Sequence, residues 1–357
     1  MARDMSGLRE LRLGTRGSQL ALWQARTVAD RIARTGGPPC RIITIKTSGD
    51  RLQEASLSEA GGKRLFVKEI EEALLRDEID LAVHSSKDMP AVLPDGLAVA
   101  AVLPREDPLD AVVLPTTRRH VTRGNTERPS GSSDAQSDFN RNCATIEELI
   151  AALGQHPLLG TGSVRRIAQL TRLMPLARFV NIRGNLDTRL RKLEAGDHDA
   201  LVLAAAGLKR LGFASRISLT LPATACVPAP GQGIVAIETR GGDEDVSRMV
   251  EPIDDLLAHA ALDSERALVA ALGGGCQTPI GALASPIDGG ENLELLATVV
   301  AVDGSRAIHA RARGPRQEAA RIGSRVGAQL LADGADEILA QARIGQASEA
   351  ARLTTND

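Results

Sequence analysis

Apolar positions along this chain switch repeatedly between strand and helix periods, and the alternation predicts the architecture. Leu11–Leu13 reads as a short strand. Residues 18–35 carry Leu20, Trp23, Val28 and Ile32 on one stripe, the spacing of an amphipathic helix. Arg41–Thr47 is β-branched and alternating, Leu65–Leu75 returns to helical spacing, and Ile79–Val83 is a buried strand. Leu97–Leu103 and Ala111–Leu114 are further strands. Thr145-Ile146-Glu147-Glu148 is a capping-box signature that opens a helix to Leu153. Strands then follow at Leu158–Gly160, Arg178–Ile182 and Ala200–Ala204, with helices at Val164–Leu173 and Leu186–Glu194 between them. Next come a strand at Ile234–Glu238, an acidic loop over Gly241–Asp255 and a helix near 256–272. Beyond residue 280 the order changes to strands near 281–287, 293–302 and 307–312, then helices near 316–333 and 335–342. Strand–helix alternation predicts open α/β units, and the tail predicts a separate α+β unit. Thr116–Cys143 breaks the pattern: it is rich in Arg, Ser, Asn, Asp and Gly, has no apolar period, and is expected to be an exposed, dispensable insertion.

Composition narrows the function classes. The 357 residues, 43% hydrophobic, suffice for two or three cores. Four Phe, one Trp and no Tyr leave those cores to Leu, Val, Ile and Ala, and argue against base-stacking platforms for nucleic acid. A net charge of −2 provides no global field for nucleic acid or anionic membrane. Cys40, Cys143, Cys226 and Cys276 form no C-x-x-C pair, which points away from zinc and towards free thiols in a reducing compartment. Met1–Glu10 has no apolar signal core, and no apolar run reaches membrane-spanning length, so the expectation is a soluble cytoplasmic protein.

Three strand-to-helix turns share one design: Gly14-Thr15-Arg16-Gly17-Ser18, Gly160-Thr161-Gly162-Ser163-Val164-Arg165-Arg166, and Arg183-Gly184-Asn185-Leu186. Each places small residues, backbone N–H groups and an arginine at a helix N-terminus, a recipe for holding an anion. Arginine forks suit carboxylate or phosphate. Gly160-x-Gly162 lacks the third glycine of a dinucleotide fingerprint and no Walker lysine pattern is present, which favours a small polycarboxylate over a nucleotide. A fourth segment, His84-Ser85-Ser86-Lys87-Asp88-Met89-Pro90, follows a strand. Beside Lys87 the Asp88 carboxylate should stay ionised and can hold a nitrogen cation or an N–H group; a plain Lys-Asp turn before proline is the other reading. His84 is expected to be structural. Lys63, after Gly61-Gly62, is either a lid over an anion or a solvated side chain; Arg189 and Arg210 either reach the same anion or face water. Cys276 stands alone in Leu272-Gly273-Gly274-Gly275-Cys276-Gln277-Thr278-Pro279-Ile280-Gly281. It reads as a point of covalent attachment, or as an incidental residue past a helix end.

In combination these motifs resemble the porphobilinogen deaminase (hydroxymethylbilane synthase) family. The resemblance runs almost end to end. It rests on the turns above, Leu20-Ala21-Leu22-Trp23-Gln24, Gly61-Gly62-Lys63, His84–Pro90, Ala206-Gly207-Leu208-Lys209-Arg210, Pro230-Gly231-Gln232-Gly233 and Gly274–Gly281. It implies two α/β domains like the lobes of a type II periplasmic-binding-protein fold, with the chain crossing between them twice, plus a C-terminal α+β domain carrying the cysteine. The implied boundaries are 1–115 with 234–256, then 116–233, then 257–357. The resemblance also implies the reaction: four porphobilinogen molecules condense head to tail with loss of ammonia on a covalent primer, and hydrolysis releases hydroxymethylbilane. It implies that Asp88 is catalytic and that Cys276 holds a dipyrromethane cofactor through a thioether. Carboxylates would be bound by Arg16, Ser18, Lys63, Ser85, Lys87, Thr161, Ser163, Arg165, Arg166, Arg183, Gly184, Arg189 and Arg210. It implies no metal or nucleotide, and a monomer; composition and charge already argue against nucleic-acid and membrane partners. Glu59 stands where the family commonly has lysine, Gly162 where serine is common, and the 116–143 insertion is longer than usual.

Overall fold

The computed structural model describes residues 9–51, 66–116, 142–274 and 278–354. Most of the predicted insertion, and the loop holding Glu59 and Lys63, lie outside them, as does Cys276.

Three sheets organise the chain. The first holds β1 (Leu11–Thr15), β2 (Cys40–Thr44), β3 (Leu81–Ser85), β4 (Leu97–Val102) and β10 (Val235–Arg240) in the order β2-β1-β3-β10-β4. The second holds β5 (Asp110–Val113), β6 (Leu158–Gly160), β7 (Arg178–Val180), β8 (Ala200–Ala204) and β9 (Leu219–Leu221) in the order β7-β6-β8-β5-β9. In each, three parallel strands are followed by an antiparallel one, and in each that strand arrives from a crossing segment. This double crossing is the type II periplasmic-binding-protein arrangement. Strand β5 pairs with β8 and β9, so the first crossing falls ahead of Asp110; the expected boundary at 115 placed this strand in the wrong sheet.

The burial pattern follows from this layering. Strand β3 is covered on both faces. Leu81 and Val83 pack under helix α1 (Gln19–Arg34) with Ala25, Val28 and Ile32. Ala82 packs with Ile70, Ala73 and Leu74 of helix α3 (Lys68–Leu75), which follows the single turn α2 (Ser48–Arg51). A central strand buried on both sides reads as a continuous apolar run rather than an alternating one. The second sheet is likewise sandwiched, between α4 (Ile146–Leu153) with α5 (Val164–Leu173) on one face and α6 (Leu186–Glu194) with α7 (Ala205–Arg210) on the other. Thr145 caps α4 as expected, its Oγ1 accepting from Glu148 N at 3.2 Å, while Glu148 Oε2 reaches back one residue past the cap and accepts from Ala144 N at 2.7 Å.

The acidic loop expected over 241–255 contains a helix, α8 (Glu244–Val250). Asp243 caps it by accepting from Val246 N at 3.1 Å, and Glu244 and Asp245 lie in its first turn, where negative charge complements the helix dipole. Helix α9 (Leu256–Ala271) leads into the tail, where β11 (Ile280–Ile287), β12 (Asn292–Val300) and β13 (Ala307–Pro315) form an antiparallel meander. Leu293, Leu295, Ala297 and Val299 point inward from β12 at the strand period, against α9 and α10 (Ala319–Ala332). These two helices touch closely: a Cβ on Gly323 would stand 2.1 Å from Ser264 O. Helix α11 (Ala335–Thr354) runs further than the expected 342. No helix among the described residues is long and apolar enough to cross a membrane.

One buried carboxylate joins the tail to the crossings. Glu265 of α9 accepts from Arg105 NH1 at 2.6 Å, Gly231 N at 2.6 Å and Ala284 N at 2.7 Å. Arg105 also donates to Gln232 O at 2.9 Å. Removing one member of a buried pair strands the other, so Glu265→Gln is expected to destabilise the fold by about 3–5 kcal/mol. A thermal midpoint unchanged from the parent protein would show that the junction does not depend on this charge.

Candidate active site

Strand β3 ends at Ser85 and runs into a single 3-10 turn, Ser86–Asp88. This turn sets Lys87 and Asp88 at the strand's mouth, with buried Met89 anchoring the exit. The second anion-type turn lies in the other sheet. Ser163 caps α5 by accepting from Arg166 N at 3.4 Å, and buried Thr161 accepts from Ser163 N at 3.3 Å. In the third turn Gly184 has φ 105°, a left-handed conformation that favours glycine. Its carbonyl accepts from Arg189 Nε at 2.8 Å.

The electrostatics bring the two sheets to one cleft. Burial pushes Lys87 down to about 8; Asp88 and Asp110 act against that shift, while Arg166 and Arg165 deepen it. Burial also lowers Arg189, helped by Arg166 and Arg183 and opposed by Asp88. Lys87, Asp88, Arg166, Arg183 and Arg189 therefore share a field. Among the described residues, neither Lys87 nor Arg183 has a hydrogen-bonded or ion-paired partner. The cleft holds more cations than acids, the condition for drawing in an anion.

The two adjacent arginines of α5 turn inward. Arg165 NH1 lies 2.7 Å from Asp110 Oδ2 and 2.7 Å from Val227 O, so its charge is directed to the interior rather than presented to a ligand as expected. Arg166 Nε donates to Asp110 Oδ1 at 2.9 Å and NH1 to Val202 O at 2.9 Å. Gln232 Nε2 also donates to Asp110 Oδ1, at 3.0 Å. Burial works to raise Asp110, but the two guanidinium groups hold it far below the ordinary carboxylate range. Burial pushes the neighbouring Cys226 thiol up to about 12.

The other expected site residues have these partners and places. Arg16 NH2 is 2.5 Å from Asp50 Oδ1, and its guanidinium stacks 4.3 Å from the centre of the Phe66 ring. Ser18 caps α1, accepting from Ala21 N at 3.3 Å. Arg210 donates to Gly233 O at 2.7 Å and lies over Trp23; burial lowers it to about 10. Ser85 is half-buried at the end of β3. His84 is buried, with Nε2 3.0 Å from Glu238 Oε2. At the Gly162 departure, a Cβ would stand 2.6 Å from Asn181 Oδ1, so a serine fits only if Asn181 moves. Sequence reasoning missed Asp110, Asp50 and Gln232. A signal existed for Asp110: an aspartate opening the apolar run Ala111-Val112-Val113-Leu114 must find a buried partner.

Two family models match the chain: "Porphobilinogen deaminase, dipyromethane cofactor binding domain" over residues 11–248 and "Porphobilinogen deaminase, C-terminal domain" over residues 260–332. A porphobilinogen deaminase of Bordetella parapertussis is 43% identical, with 94% of this chain and 98% of the relative covered. That of Desulforudis audaxviator is 42% identical, covering 94% and 99%. That of Geotalea daltonii is 40% identical, covering 94% and 95%. The chain belongs to the porphobilinogen deaminase family. It is a transferase that condenses four porphobilinogen molecules head to tail with loss of ammonia on a covalently bound dipyrromethane, and hydrolysis then releases hydroxymethylbilane. The described residues fit such a group: dipyrromethane bears several carboxylates, and the cleft's cations outnumber its acids. Lys87, Arg183 and Arg189 are the candidates to hold it; Arg166 would join them only by sharing NH2, which lies 2.8 Å from Asp110 Oδ1 and 3.5 Å from Gln232 Oε1.

Lys87 makes this cleft sensitive to pH. Below about 8 it is charged, and as pH rises through that value the cation is lost. The KM for porphobilinogen is therefore expected to climb on the alkaline side. Lys87→Met should show a raised KM at lower pH and little further climb. Steady-state rates across about pH 6 to 10 test this; an unaltered alkaline climb in the variant would remove Lys87 from carboxylate binding.

Proposed function

We propose that Asp88 performs the condensation chemistry and that Lys87, Arg166, Arg183 and Arg189 hold the carboxylates of substrate and growing chain around it. Placement and charge together support the reading above all: Lys87 and Asp88 stand at the mouth of β3 in the first sheet, Arg166 and Arg189 lie on α5 and α6 of the second, and their charges act on one another. Porphobilinogen carries an acetate and a propionate, so each condensation adds two carboxylates, and surplus positive charge suits that accumulation. In each round the substrate's aminomethyl C–N bond breaks. A proton from Asp88 lets the amine depart as ammonia, and the ionised carboxylate then steadies the azafulvenium cation left on the substrate through its pyrrole N–H. The new C–C bond forms at that cation, and the proton released returns to Asp88. The dipyrromethane supplies the pyrrole carbon from which the chain grows.

Cys276 is assigned as the attachment point through a thioether, since a soft thiolate is a good nucleophile for such a carbon. Lys63, Arg16, Ser18, Ser85, Thr161, Ser163, Gly184 and Arg210 complete the proposed carboxylate-binding set, with Arg165 contributing through its neighbour. The two sheets and the tail are read as three domains. The protein is proposed to work as a cytoplasmic monomer, without metal or nucleotide.

The denatured mass of the purified protein tests the attachment. An excess equal to two linked pyrrole units, absent from Cys276→Ser, is expected; a bare mass before and after incubation with porphobilinogen would sink it. Asp88→Asn is expected to retain the fold and lose about 10²–10⁴-fold in turnover, and near-normal turnover would remove Asp88 from the chemistry.

A further inference from the structure

We propose that Asp110 is a positioning residue for the reaction: its buried carboxylate holds Arg166 in orientation from behind the cleft. The inference deepens the carboxylate-cleft reading and rests on it.

The geometry is specific. Asp110 opens β5 directly after the first crossing, and its side chain has no solvent exposure. Oδ1 receives Arg166 Nε at 2.9 Å, Gln232 Nε2 at 3.0 Å and Arg165 NH2 at 3.2 Å; Oδ2 receives Arg165 NH1 at 2.7 Å. The donors come from the first turn of α5 and, through Gln232, from the second crossing. Gln232 Nε2 in turn reaches Pro108 O, on the first crossing, at 2.7 Å. One carboxylate thus ties both crossings to the helix turn that carries Arg166.

Neighbouring arginines repel, and a guanidinium fork is oriented only by acceptors placed in its plane. Arg166 has Asp110 on its Nε edge and the Val202 carbonyl on the other, which fixes its plane. Asp110 pairs with both arginines and offsets one of their two buried positive charges. The groups acting on Lys87 are Asp88, Arg166, Asp110 and Arg165. Without Asp110, two arginines would face Lys87 with Asp88 alone to offset them, and Lys87 would surrender its proton at lower pH.

Asp110→Asn tests this in the full chain carrying its dipyrromethane. The KM for porphobilinogen is expected to rise by about 10- to 100-fold with a smaller fall in kcat. The alkaline climb in KM should move to lower pH, and denatured mass should show fewer chains carrying the two-pyrrole excess. A lowered thermal midpoint with KM, pH profile and mass occupancy unchanged would overturn the proposal and leave Asp110 a structural residue. Should Asp110→Asn fail to fold, Gln232→Met removes one donor to the same oxygen; it is expected to shift KM and the pH profile in the same direction by less, and no shift would overturn the proposal. Arg166→Gln separates the two levels. An unchanged KM there would bring down the cleft reading together with this inference, whereas a raised KM there beside an unchanged one in Asp110→Asn would bring down the role of Asp110 alone.

Discussion

The Glu265 carboxylate fixes the relation between the three parts of this protein. Its two oxygens reach Arg105 on the first crossing, the backbone of Gly231 on the second and the backbone of Ala284 in the tail sheet. A buried carboxylate is unfavourable unless its lone pairs are met by donors. Here the donors come from segments far apart in sequence, so the group is satisfied only when all three meet. The crossings then emerge in a defined place, and with them Asp110 and Gln232 behind the cleft.

The site is built by the same means with the opposite balance. At Glu265 backbone amides and one arginine satisfy one acid. Around Lys87 several cations face two acids, an excess suited to an anionic chain. Burial strengthens the effect, because charge interactions are less screened away from water. Two kinds of arginine follow. Arg165 and Arg16 are held by Asp110 and Asp50, whereas Arg183 has no acidic partner among the described residues.

The sequence disclosed the fold well where period and caps agreed. The Thr145 cap and the burial of β3 were both readable. The helix Glu244–Val250 was hidden because its acids looked like a solvated run, although Asp243 and the acids after it are what open a helix. The membership of β5 was illegible, since an apolar strand carries no mark of which sheet it joins. The site was legible as residue types and not as partners. Arg165-Arg166 was seen as an anion-binding pair, yet the anion each meets in the fold is a side chain placed by the topology.

That topology also bears on the order in which the chain can fold during synthesis. The second sheet draws all its strands from 110–221, so every partner is present once that stretch has been made. The first sheet has a gap between β3 and β4 that only β10, at 235–240, fills. Until that strand leaves the ribosome, β3 and β4 each present an unpaired edge, a template for unwanted pairing. Of the two five-stranded sheets, the one translated first is therefore the one completed last.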